Sequence, residues 1–235
     1  MNKALFLFIL QITLPILALA SLYFITLGWA LVSILVFFLF RCVGYTATYH
    51  RVITHQTHKF HPAIEFICLA FGFYGSMSTP LEAASIHINH HKYVDTNRDP
   101  HSPKYIGWRA AFPLFWVDKD KGDYRTIARL SKNPRVMFFQ RHYWILVCLP
   151  VLLLLISLKA LLFLWLVPAA CALVTLSWST FNHDDSGAIN RGLVFGILTG
   201  GEHRHVSHHI DSSNEGFISV ILDILGKRKA IDEYK

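Results

Sequence analysis

Ala4 to Phe40 reads ALFLFILQITLPILALASLYFITLGWALVSILVFFLF, and no side chain in the whole stretch carries a charge. A helix needs roughly 20 apolar residues to cross the hydrocarbon core of a bilayer, so this run is long enough for two spans. Their turn is placed near Thr26, Leu27 and Gly28. A second apolar tract runs from Tyr143 to Phe181 with Lys159 alone near its middle, where a charge fits if a second hairpin turns at the far interface. The expected fold is an all-α membrane protein with four transmembrane helices in two hairpins, the spans falling at about 4–24, 28–48, 143–158 and 160–181. No repeat, low-complexity tract or linker divides residues 1–235, which are read as a single domain.

Composition agrees with a membrane class. Of 235 residues, 53% are hydrophobic and 14% aromatic, more than is usual in soluble domains. Met1-Asn2-Lys3 ahead of apolar residues has the form of a signal peptide, but the apolar run is too long and lacks a clear small-residue cleavage site, so it is read as retained. Nearly all lysines and arginines lie between Arg41 and Arg141 or beyond Arg191, and the two tight turns carry only Lys159. Positively charged segments stay on the cytoplasmic side, so both termini are expected there in an integral, multi-pass protein. The net charge of +7 then follows from topology and anionic lipid headgroups. No nucleic-acid motif accompanies it, which argues against a nucleic-acid partner. Cys42, Cys68, Cys148 and Cys171 stand singly among apolar residues without CxxC spacing, and are expected as small buried apolar side chains.

Another apolar stretch lies between His61 and Ile86, but Glu65 and Glu82 bracket it and Gly72, Gly75 and Pro80 interrupt it. An interfacial or re-entrant helix suits it better than a fifth span, which would also put the later histidines on the wrong side. From Trp108 to Arg141 the sequence is mixed, with Asp118, Lys119, Asp120, Lys121 and Asp123 reading as a solvated surface loop.

Fourteen histidines are a large excess for a membrane protein, and eight of them form three boxes. The first is His50-Arg51-Val52-Ile53-Thr54-His55, the second His87-Ile88-Asn89-His90-His91, the third His205-Val206-Ser207-His208-His209. An α-helix turns about 100° per residue, so an HxxHH box confines its histidines to an arc of roughly 100° and can present all three to a common site. The ends of HxxxxH point about 140° apart, which suits two different metal ions or a helix distorted there. Imidazole suits iron, zinc, copper and nickel, and eight imidazoles exceed what one four- to six-coordinate ion can use. Neither the HExxH helix of a zinc protease nor the Glu-x-x-His pairs of a soluble di-iron bundle is present, which leaves a pair of irons bound by histidine. His58, His61, His101, His142 and His203 lie outside the boxes and are read as ordinary surface or hydrogen-bonded side chains.

At these residues the sequence resembles the membrane fatty acid desaturases, the acyl-CoA and acyl-lipid enzymes with HxxxxH, HxxHH and HxxHH boxes. The likeness runs from about Gly44 to Asp223 and includes His91-Lys92-Tyr93, Asp99-Pro100-His101, Asn133-Pro134-Arg135 through Arg141, and Gly201-Glu202. The resemblance implies four membrane helices capped by a cytosolic histidine-rich di-iron domain, with nine histidines on two irons. The ninth comes from an NSxxH-like stretch, here Ser179-Thr180-Phe181-Asn182-His183, which makes His183 the candidate. The implied metal ligands are therefore His50, His55, His87, His90, His91, His183, His205, His208 and His209. Where the family has asparagine this chain has Ser179, with Asn182 and Asp184 nearby as substitutes. The family's Arg-Asp pair before the second box, associated with CoA, is replaced by Ala84-Ser85-Ile86, whereas Pro80-Leu81-Glu82 is close to the Pro-Ile-Glu of the acyl-lipid branch. That tilts the expected substrate toward a lipid- or carrier-protein-linked acyl chain. Ile210-Asp211 stands where Phe-Pro usually follows the third box.

Such an enzyme must oxidise an unactivated methylene, which two irons and dioxygen can do while the protein supplies positioning. Electrons must come from an external donor, a ferredoxin or a b-type cytochrome with its reductase, because the chain has no CxxC pair and no haem or flavin domain. A hydroxylase or acetylenase on the same scaffold is the nearest rival. A non-catalytic histidine-rich metal carrier is the remote one, since transporters place ligands within their spans.

Overall fold

The computed structural model describes residues 3–111, 122–178, 182–184, 187–211 and 216–229. Helix α1, Lys3–Ser21, ends in a 3-10 turn at Leu22–Phe24. The hydroxyl of Thr26 then accepts the Trp29 backbone N–H and starts α2, Leu27–Phe38. Its rod continues as a π-helix over Leu39–Thr54. The first strand, β1, is His58–Phe60.

Helices α3, Pro62–Ser76, and α4, Pro80–Tyr93, meet at a 71° bend. α3 lies antiparallel along the π-helix, with Gly72 against Gly44 and Gly75 against the Phe40 carbonyl. α4 then brings His87 back to His50, their ring centroids 4.2 Å apart. The pair therefore starts and finishes at one end of the bundle, the behaviour expected of a re-entrant segment. Its second helix starts with a capping box: Thr79 and Glu82 exchange side-chain-to-backbone hydrogen bonds. Glu82 also pairs with Lys3 at 2.6 Å, and Thr79 donates to Gln140 at 2.6 Å. We expect Thr79→Ala to cost about 1 kcal/mol, read as a lowered unfolding temperature in detergent.

Helix α5, Tyr124–Leu130, is capped by Asp123. Read as part of a solvated loop, Asp123 is in fact buried, accepting the Thr126 N–H at 2.7 Å and pairing with Lys92 of α4. An aspartate at a helix start has a backbone N–H to satisfy, which takes it out of the loop class. Asp118, Lys119, Asp120 and Lys121 lie outside the described residues. Helix α6, Pro134–Arg141, is tied to α3 through Arg135 and Glu65 at 2.8 Å.

Among the described residues, three helices are long and apolar enough to cross a membrane: Leu5–Phe24, Leu27–Thr54 and Leu158–Trp178, the last designated α8 after a short α7. α7 itself is Tyr143–Cys148, extended by a 3-10 segment at Leu149–Leu155. It occupies the position of the expected span at about 143–158 but falls short of that length test. A 3-10 helix rises about 2.0 Å per residue against 1.5 Å for an α-helix, so the segment reaches further than its length suggests. The two hairpin turns lie together, since Trp29, just past the first, stacks on Phe163, just past the second, at 5.8 Å. At the opposite end Gln11 of α1 donates to Ser177 of α8 at 3.0 Å.

Strands β2, His183–Asp184, and β3, Gly187–Ala188, pair with each other. Helices α9, Leu193–Thr199, α10, His205–Ile210, and α11, Ile218–Leu225, follow. The last strand, β4, Gly226–Arg228, pairs antiparallel with β1. The fold is mostly helical as expected, with two short ribbons added: β2 and β3 close a local reversal, and β1 and β4 join segments far apart in the sequence. Cys148 and Cys171 are exposed on the helix surface instead of buried, while Cys42 and Cys68 are buried as expected.

Candidate metal centre

All nine histidines singled out in the sequence converge at one end of the bundle, in two groups. His50, His55, His87, His91 and His208 form the first, and His90, His183, His205 and His209 the second, with ligand atoms inside each group within 4.8 Å of one another. His50 and His55 share one group because the helix that carries them is π-helical. Its i→i+5 pattern, seen in the His55 N–H donating to the His50 carbonyl at 3.2 Å, stacks residues five apart on one face. Of the two options for HxxxxH, the distorted helix is the one realised.

The HxxHH boxes behave otherwise than expected. Each is divided between the groups, with the i,i+4 pair going to one and the middle histidine to the other: His87 and His91 against His90, and His205 and His209 against His208. Residues four apart lie nearly above one another on an α-helix, while the third points sideways. Helices α4 and α10 therefore each serve both groups.

A fatty acid desaturase family model matches residues 27–213. The chain belongs to the fatty acid desaturase family. Icosanoyl-CoA 5-desaturase of Limnanthes douglasii is 33% identical over 132 residues, which are 54% of this chain and 37% of that protein. Acyl-CoA C20 Delta5-desaturase of Anemone leveillei is 27% identical over 71% of this chain and 58% of its own length. Palmitoyl-monogalactosyldiacylglycerol delta-7 desaturase, chloroplastic, of Arabidopsis thaliana is 26% identical over 43% of this chain and 28% of its own length. This desaturase-family chain thus spans less than two thirds of the length of these relatives.

The donor set fits the iron that the family implies. The carboxylate of Glu202 faces His50 Nδ1 at 3.1 Å, Asp99 faces His90 Nδ1 at 2.9 Å, and Asp95 faces His183 Nδ1 at 3.1 Å. An ionised carboxylate only accepts, so each of these Nδ1 atoms carries the proton and each Nε2 keeps its lone pair. Those Nε2 atoms point at other ring nitrogens: His183 at His205 at 2.7 Å, and His50 at His208 at 2.8 Å. The buried Nε2 atoms of His55 and His90 have no hydrogen-bond partner among the described residues. Lone pairs collected in a buried site are stabilised by a cation between them, the arrangement of histidine-bound metal with carboxylates behind it.

Electrostatics supports the neutral, ligating form. Burial, followed by His183 and His50, pushes His209 from 6.5 down to about 4. Burial and the neighbouring His209 and His183 hold His205 well below its ordinary value, and burial with His50 and Arg51 does the same for His208. Burial alone would raise Glu202, but His50, Arg41 and Arg51 around it hold its carboxyl well below the usual range.

Four of the five histidines outside the nine-residue set have ordinary roles. His58 bonds Asp223 at 3.1 Å, His61 caps α3, His142 donates to the Phe138 carbonyl at 2.9 Å, and His203 stacks on Phe217. His101 departs from that reading, stacking on His90 with centroids 4.2 Å apart. Ser179 lies outside the described residues. Asn182, the nearby substitute, is in neither histidine group and donates to the Glu202 carbonyl at 2.8 Å; of the Asp184 side chain nothing is described. In the sequence Asp95 belongs to no motif, and Asp99 and Glu202 stand only as parts of family-like stretches. Their signal was an acidic residue a short distance from a box in a segment otherwise poor in acids.

Proposed function

We propose that this chain carries the catalytic centre of an oxygen-dependent di-iron desaturase that introduces a double bond into a fatty acyl chain. The observation that supports this most directly is the division of nine buried or half-buried histidines into groups of five and four in a chain of this family. The five would hold one iron and the four the other. Bound there, the two irons and O2 would supply the oxidant that an unactivated methylene requires. The protein's own residues orient the imidazoles, exclude water around them and keep their ligating nitrogens unprotonated.

The proposed topology has four spans in two hairpins, with the α3–α4 pair re-entrant and both termini and all histidines on the cytoplasmic side. The hairpin turns, whose one charged side chain is Lys159, and the convergence of the boxes at the opposite end support it. The basic cytoplasmic surface would receive an acidic electron donor, a ferredoxin or a b-type cytochrome with its reductase, by long-range attraction.

The acyl substrate is proposed as lipid-, carrier-protein- or CoA-linked. Relatives are named for both CoA and galactolipid substrates. Glu82, part of the stretch that resembles the acyl-lipid branch, is engaged in starting α4 and pairing with Lys3. Helix initiation alone accounts for it, so its presence does not choose the carrier.

Expression in a desaturase-deficient host, followed by gas chromatography and mass spectrometry of total fatty acids, tests the reading. New unsaturated chains with the wild type and none with His205→Ala are expected. Hydroxylated or acetylenic chains would move the assignment to another oxidation on this scaffold.

A further inference from the structure

We propose that the loop from Asp95 to His101 is a brace dedicated to the four-histidine group, with Asp95 and Asp99 as positioning residues that keep His183 and His90 in their ligating form. The inference rests on the metal reading above and deepens it. Both oxygens of Asp99 lie 2.9 Å from His90 Nδ1, and the pair is almost wholly buried, at 1% and 0% side-chain exposure. The same carboxylate accepts the backbone N–H of Asp95 at 3.0 Å and that of His101 at 3.0 Å, which ties both ends of the loop to one anchor. Asp95 turns its Oδ2 to His183 Nδ1 at 3.1 Å, and its Oδ1 accepts from Ser102 at 3.1 Å.

His183 is the group member most in need of such support. The other three sit on α4 and α10, whereas His183 stands in a two-residue strand. Asp95 also adopts φ +55°, a left-handed conformation uncommon for non-glycine residues and easiest for aspartate and asparagine. The strain is local to the residue that reaches across to His183. Stacked on the His90 ring, His101 closes the loop against the same group.

Among the described residues, no hydrogen bond joins this loop to the five-histidine group. Its carboxylate is Glu202, which precedes α10 and faces His50. Two braces from two segments therefore serve two groups, and each can be removed separately. An amide in place of Asp99 presents an N–H to one of three N–H groups that now point at an acceptor. It therefore favours the His90 tautomer whose proton sits on Nε2, toward the group.

The experiment reads Co2+ bound per chain in purified full-length protein, by competition with a chelator and by the cobalt visible spectrum, for wild type, Asp95→Asn, Asp99→Asn and Glu202→Gln. Loss of a carboxylate behind a metal-bound histidine weakens binding about 10- to 100-fold. Wild type is expected to hold two ions. Either aspartate variant is expected to lose one of them to the chelator while the other keeps its wild-type affinity and spectrum, and Glu202→Gln is expected to lose the spectroscopically distinct partner ion. Two ions held with wild-type affinity in both aspartate variants would overturn the brace, as would equal weakening of both ions. Wild type that binds no cobalt would instead overturn the metal reading. Asp95→Asn keeps a side chain suited to the left-handed backbone, so it decides the matter if Asp99→Asn fails to fold.

Discussion

Replacing His183 by alanine should lower bound metal from two ions per chain toward one and reduce acyl turnover at least about 100-fold, beyond the 10- to 100-fold typical of losing a supporting partner. His183 is the sharpest choice because only family resemblance singled it out, yet its Nε2 meets His205 Nε2 at 2.7 Å inside the four-histidine group. Alanine removes one of four donors and leaves the Asp95 carboxylate facing no imidazole. The same loss of turnover is expected for alanine at His50, His55, His87, His90, His91, His205, His208 or His209. Iron per chain and product formation, measured on one preparation, check the prediction. A His183→Ala protein that kept most of its activity would take that residue out of the set.

Gly44→Ala should be almost as damaging without touching a histidine. A Cβ at Gly44 would sit 2.2 Å from the Gly72 nitrogen and 2.4 Å from the Phe71 carbonyl carbon, both backbone atoms that cannot rotate away. Small residues let membrane helices approach this closely, and overpacking a tight contact costs about 1–3 kcal/mol. With backbone on the far side, the upper end is expected. The π-helix would be levered off α3, and His50 and His55 travel with it. The expected readout is a lower unfolding temperature in detergent together with reduced iron content. Wild-type melting would mean that the two helices separate at little cost.

Much of this molecule was legible from residue spacing. The uncharged run from Ala4 to Phe40 announced a helical hairpin, and the glycines and glutamates between His61 and Ile86 marked a segment that turns back. The boxes marked the residues that meet, because clustering survives any uncertainty about helix register. How they divide was not legible. Whether HxxxxH faces one way depends on a π-helical backbone, which side-chain pattern does not encode, and the splitting of each HxxHH box depends on α4 and α10 lying between the two groups. The supporting carboxylates were obscured for a related reason. Asp95 and His183 are 88 positions apart, and Glu202 and His50 are 152 apart, so no local motif joins them.

The most direct test of the central claim is a metal count by plasma mass spectrometry on protein purified from iron-supplied cells. Two irons per chain are predicted, one for each histidine group. Iron at one or fewer per chain in folded protein, or zinc alone in its place, would contradict a di-iron centre built from these nine histidines.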